Sequence, residues 1–268
     1  MKLVAIDLDG TLLNSQHQLL DVNTRALERA KNSGIKIVIA TGRSVISAAE
    51  ILDSMELEGY ILALNGTFIA ERTKGQLKVF RQSQLEKENV KKAFKIAQSE
   101  QITFVASNER GSDRVVVSEE GEVVQEFLIQ RHDLRCLTAD EMKNRLTDPT
   151  INYLKLAFTN QKREKLLKVK QRLAHEGLPT IFSDAHYIEY VPKGINKGTA
   201  LQFLCDQLGI SMDEVLAIGD QENDLELLTM SGIGVAMGNA SDKVKACADY
   251  VTSTNDEAGV SRALDLYL

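Results

Sequence analysis

Apolar residues fall along this chain in two arrangements. Near the N-terminus they form short, nearly unbroken runs: Leu3-Val4-Ala5-Ile6, then Ile35-Lys36-Ile37-Val38-Ile39-Ala40, then Tyr60-Ile61-Leu62-Ala63-Leu64. Such uniform runs suit strands buried on both faces, as in a parallel sheet, better than half-exposed strands. Between them lie helical stretches. Asp21 is placed to cap a helix over 21–33 that Gly34 closes, and a second helix spans 44–55. Strand–helix–strand alternation of this kind predicts a doubly wound, mainly parallel, Rossmann-like sheet with right-handed crossovers.

Around Arg81 the pattern changes. An amphipathic, Lys-rich helix is expected over 83–100, followed by short alternating strands near 102–106 and 114–118. Thr138-Ala139-Asp140-Glu141 has capping-box spacing and opens a small helix. A strand at 151–158, a helix at 161–176 closed by Gly177, and strands near 178–182 and 187–191 complete an α+β segment. From Gly194 the first pattern returns. Lys197-Gly198-Thr199 opens a helix ending at Gly209, and Val215-Leu216-Ala217-Ile218 runs into Gly219-Asp220. A strand at 233–237, a short helix, a strand at Tyr250-Val251 and a terminal helix follow. The expected organisation is a discontinuous α/β core (1–83 and 190–268) with an inserted α+β domain (84–189), a common domain size.

Composition narrows the possible partners. The 268 residues carry a net charge of −6, which argues against general affinity for nucleic acid or an anionic membrane. An anionic substrate therefore needs a local positive site. Cys136, Cys205 and Cys247 lie far apart and show no metal-ligand spacing. His17, His132, His175 and His186 are equally scattered, and polar surface or core positions are expected for each. The short N-terminal apolar run stops at Asp7 and does not resemble a signal peptide, and no stretch is long and apolar enough to span a bilayer. A cytoplasmic protein is expected.

Polar signatures sit at the ends of the apolar runs. Asp7-Leu8-Asp9-Gly10-Thr11 places two carboxylates at i and i+2, on one face of a strand tip. Such a pair repels itself unless compensated, which invites Mg²⁺ or a division between nucleophile and proton donor. An Asp-rich turn is the structural alternative. Thr41-Gly42-Arg43 offers a hydroxyl, an unhindered amide and a guanidinium to a phosphate, or simply a helix cap. Lys197 opens a helix, where a cation is disfavoured by the dipole, and is better explained by an anionic partner than as a solvated residue. Gly219-Asp220-Gln221-Glu222-Asn223-Asp224 crowds acids at a strand end, as surface turns also do; Asp220 there is a further oxygen ligand for Mg²⁺, and Asn223 an uncharged phosphate contact. Ligands of open α/β sheets bind beyond the carboxyl ends of the strands, so these signatures are expected to converge.

In this order, the four signatures resemble those of the haloacid dehalogenase-like phosphohydrolases, and more closely the Cof-type branch with a type IIB cap inserted after the third core strand. Val235-Ala236-Met237-Gly238-Asn239-Ala240 and Ala248-Asp249-Tyr250-Val251-Thr252 are similar to the same branch. The resemblance implies a phosphoric monoester hydrolase acting on small phosphorylated metabolites, sugar phosphates or phosphorylated cofactors. Asp7 is then the nucleophile and forms an aspartyl-phosphate, and Asp9 is the acid and base. Mg²⁺ is held by the Asp7 carboxylate, the Asp9 backbone carbonyl and Asp220. The Leu8 amide, Thr41, Gly42, Lys197 and Asn223 hold phosphate, while Arg43 and Asp224 support, Asp224 by orienting Lys197 or water. The insert is expected to close over the site and choose the leaving group. A phosphomutase using the same intermediate is the alternative enzyme, a phosphate-responsive binding module the alternative without turnover. A monomer or weak homo-oligomer is expected.

Overall fold

The computed structural model describes residues 1–123 and 133–268, so His132 lies outside the described residues. The chain divides into two compact units, one of residues 1–43, 47–82 and 194–268, the other of 44–46 and 83–193.

The first unit is built on an eight-stranded sheet. β1 (Leu3–Ile6), β2 (Lys36–Ala40) and β3 (Gly59–Ala63) run parallel, with α1 (Asp21–Asn32) and α2 (Val45–Ser54) as crossovers. β4 (Phe68–Thr73) and β5 (Gln76–Gln82) add antiparallel at one edge. This hairpin is absent from the sequence reading. On the other side of β1 lie β12 (Val215–Gly219), β13 (Ile233–Ala236) and β14 (Tyr250–Val251), all parallel, giving the order β14-β13-β12-β1-β2-β3-β4-β5. Every residue of β1 and β12 is buried, which is what their unbroken apolar character requires. Strand order reverses between β1 and β12, so their carboxyl ends flank a switch point.

Local differences from the sequence reading have local causes. Asp21 is the first residue of α1 rather than its cap; Leu20 holds the cap position and supplies no side-chain bond. The third strand stops at Ala63 because Leu64 and Asn65 both turn left-handed.

The second unit carries a six-stranded sheet. Its strands are β6 (Thr103–Asn108), β7 (Gly111–Val115), β8 (Leu134–Cys136), β9 (Lys155–Thr159), β10 (Ile181–Asp184) and β11 (Tyr187–Tyr190), in the order β10-β11-β9-β6-β7-β8. β7 and β9 are shifted from the expected 114–118 and 151–158. Helices α3 (Lys87–Ser99), α4 (Ala139–Thr147) and α5 (Arg163–His175) pack on one face around Phe94, Phe104 and Phe158. Thr138 and Glu141 form the expected capping box on α4.

No helix among the described residues is long and apolar enough to cross a membrane.

Candidate active site

Pairing of β1 with β12 continues one residue past the strand, where the Asp7 amide donates to the Ile218 carbonyl at 3.0 Å. Asp7 is thereby carried, buried, to the switch point. The chain then folds back: Leu12 N donates to Asp7 O at 3.2 Å and Leu13 N to Leu8 O at 2.9 Å. This turn depends on Gly10, whose φ is +78° and whose missing Cβ would lie 2.3 Å from Asp220 Oδ2. Asp220, at the end of β12, is held from the same turn by Thr11, whose Oγ1 donates to Oδ1 at 2.8 Å. Gln221 Nε2 donates to Asp220 Oδ2 at 3.2 Å, and Asn239 Nδ2 bonds the Gly10 carbonyl at 2.8 Å.

Lys197 opens α6 (Lys197–Leu208), which Asn196 caps through a capping box with Thr199. Its ammonium is 1% exposed and donates to Asp7 Oδ1 and Asp224 Oδ1, each at 2.7 Å. Asp224 is fully buried and its other oxygen accepts from the amides of Asp220 (3.1 Å) and Gln221 (3.0 Å). Both of its oxygens are therefore engaged in holding neighbours.

One buried ammonium faces three buried carboxylates, Asp7, Asp220 and Asp224, with ligand oxygens within 4.8 Å of one another. The imbalance appears in their proton affinities. Burial, opposed by Lys197 and reinforced by the neighbouring acids, lifts the Asp7 carboxyl well above its ordinary range. Burial and then Asp224 push Asp220 up to about 7. Burial alone would lower the Lys197 ammonium, but Asp224 and Asp7 outweigh it and hold it charged. An excess of buried, oxygen-only negative charge fits a hard divalent cation.

Asp9 points elsewhere. Its half-exposed carboxylate takes a bidentate clamp from Arg43, Nε donating to Oδ2 at 2.7 Å and Nη2 to Oδ1. His17 Nδ1 lies 3.3 Å from Oδ1. Burial would raise this carboxyl, yet the His17 and Arg43 hydrogen bonds hold it far below the usual range. The Asp9 carboxylate is thus no member of the three-acid cluster. β2 ends just before Thr41, whose Oγ1 accepts from Arg43 N at 3.1 Å across Gly42. Asn223 Nδ2 donates to Asn65 Oδ1 at 3.1 Å.

Hydrogen bonds thus link Asp7, Lys197, Asp220 and Asp224 at the ends of β1 and β12, and Asp9, Arg43 and Thr41 beside the end of β2. Thr11, His17, Asn65 and Asn239 are contacts that sequence reasoning missed. Thr11 and Asn239 lie within the strings that carry the resemblance, whereas His17 and Asn65 have no signal beyond following a loop and a strand.

Residues 4–264 match the family model of the haloacid dehalogenase-like hydrolases. The chain belongs to that family. It is 31% identical to a 5-amino-6-(5-phospho-D-ribitylamino)uracil phosphatase from Bacillus subtilis, over 98% of this chain and 94% of the relative. Among solved structures, a haloacid dehalogenase-like hydrolase from B. subtilis superposes with TM-score 0.88 at 28% identity, covering 100% of both chains. Another from Bacteroides thetaiotaomicron gives TM-score 0.82 at 30% identity, over 100% of this chain and 99% of the other. The haloacid dehalogenase-like hydrolase described here shares their mixed α/β core sheet.

Proposed function

We propose that this hydrolase is a Mg²⁺-dependent phosphatase that cleaves phosphate monoesters of small metabolites through an aspartyl-phosphate on Asp7. The observation that carries the reading is the buried Lys197 bridging Asp7 and Asp224 beside Asp220, an anion-rich centre at a strand-order switch. The likeness to a phosphatase of a phosphorylated ribitylamino compound supports a small phosphorylated metabolite as substrate.

Asp7 Oδ attacks phosphorus as the ester P–O bond breaks, and the leaving oxygen takes a proton from Asp9. Water then attacks the phosphoryl group, returns a proton to Asp9 and restores the Asp7 carboxylate. Lys197 orients Asp7 and neutralises charge, with Asp224 holding Lys197 in place. Thr41, the Leu8 and Gly42 amides and Asn223 donate to the phosphate oxygens. Because Arg43 keeps Asp9 ionised, acid work at Asp9 requires its carboxylate to leave the guanidinium, take up a proton from water and then meet the ester oxygen. Asp7, Asp220 and the Asp9 carbonyl would hold Mg²⁺, which supplies the charge that lets a carboxylate approach an anionic ester.

Phosphate release from a panel of phosphorylated metabolites, with Mg²⁺ and with chelator, tests the reading. Asp7→Asn should fall to the uncatalysed rate; undiminished turnover in that variant excludes Asp7 as nucleophile.

A further inference from the structure

Three consecutive residues after β3 adopt positive φ: Leu64 at 52°, Asn65 at 58° and Gly66 at 88°. Successive left-handed residues are unusual in an L-chain and persist only where the surroundings over-determine them. Here Leu64 N donates to Arg43 O and Asn65 N to Thr41 O, both at 3.0 Å, tying the turn to the loop that carries Thr41. A Cβ on Gly66 would come within 2.7 Å of the Asn196 carbonyl, so the turn also abuts the start of α6, where Lys197 sits. The result is that Asn65, almost fully buried, offers its Oδ1 to Asn223 Nδ2 at 3.1 Å.

Asn223 is 8% exposed, and its Oδ1 has no hydrogen-bond partner among the described residues. That oxygen is an acceptor and suits a donor such as water, so a phosphate oxygen has to be met by the nitrogen instead. The Asn223 nitrogen carries two protons, and Asn65 engages one of them. That contact fixes the amide plane and leaves the second proton for another acceptor. A phosphate oxygen can only accept.

We propose that Asn65 is a positioning residue for phosphate: its hydrogen bond sets the orientation in which Asn223 donates to a phosphate oxygen. The identity of the ligand rests on the phosphatase reading above. The left-handed turn is the backbone that carries the Asn65 amide to Asn223.

The test is a double-mutant cycle on inorganic phosphate affinity, measured calorimetrically with Mg²⁺ on wild type, Asn65→Gly, Asn223→Ala and the double variant. Glycine keeps the left-handed backbone and removes only the amide. Asn65→Gly should weaken phosphate about three- to tenfold, the loss of one hydrogen bond, and the double variant should bind no more weakly than Asn223→Ala. Unchanged affinity in Asn65→Gly, losses that multiply in the double variant, or no phosphate binding by wild type overturns the proposal. A second readout needs no variant: the Asn223 side-chain amide resonance of the wild type should move on phosphate addition, and a stationary resonance also overturns it. Turnover of p-nitrophenyl phosphate reports separately on the phosphatase reading. A wild type that binds phosphate without turnover fails that reading, while the cycle still decides the role of Asn65.

Discussion

Replacing Gly10 by alanine perturbs the site without touching any group that contacts substrate. Two costs arise. The backbone sits at φ +78°, where an L-residue is disfavoured by about 1–2 kcal/mol. The added Cβ also falls 2.3 Å from Asp220 Oδ2 and 2.9 Å from its Cγ, so the buried carboxylate must move or the turn must open. Overpacking of this kind costs about 1–3 kcal/mol. Gly34 provides the control: its φ is +84°, and nothing lies within 4 Å of its would-be Cβ. Gly34→Ala therefore carries the conformational cost alone, and the unfolded-state gain from adding a methyl is common to both variants. Urea denaturation in chelator should show Gly10→Ala less stable than Gly34→Ala by about 1–3 kcal/mol. Phosphate release should be near wild type in Gly34→Ala and reduced about a hundredfold in Gly10→Ala, the effect of misplacing a catalytic group by about an ångström. Equal stability and equal activity in the two variants would refute the claim that Gly10 exists to let Asp220 approach the turn.

Lys197→Met should destabilise the chelated protein by about 3–5 kcal/mol by urea denaturation, because Asp7 and Asp224 lose their one buried cation; a neutral effect would refute the claim that this ammonium offsets their buried charge. For Asp220, a native pKa of about 7 lies above the ordinary value near 3.9, so its contribution to stability is present at low pH and lost as pH rises through about 7. Asp220→Asn should accordingly be more stable than wild type in chelator at alkaline pH, with the advantage shrinking toward acid in paired thermal melts. In the second unit, Phe158 is fully buried and stacks edge-on against Phe104, so Phe158→Ala should cost about 3–5 kcal/mol in a urea titration.

Much of the core was legible because burial on both faces leaves a mark that needs no partner: Leu3–Ile6 and Val215–Gly219 are apolar at every position. The β4–β5 hairpin was not. Its two-residue turn is Lys74-Gly75, with Lys74 at φ 49°, where the familiar signal is Asn-Gly or Asp-Gly. Its second strand is mostly exposed and mixed in character, so no period stands out. In the second unit β7 starts at Gly111 rather than Arg114 because it pairs back onto β6 from Asn108, a register set by the partner strand.

Read alone, the chain of residues determined the doubly wound core, the inserted α+β segment and the acids at the ends of β1 and β12. Those follow from local hydrophobic period and from the rule that parallel strands end together. Tertiary structure alone decided which oxygen each donor meets: Lys197 reaches Asp7 across 190 positions, Arg43 takes Asp9 away from the three-acid cluster, and Asn65 reaches Asn223 across 158. Hydrogen bonds act over about 3 Å, and positions that fine are set only when packed elements bring remote strand ends side by side.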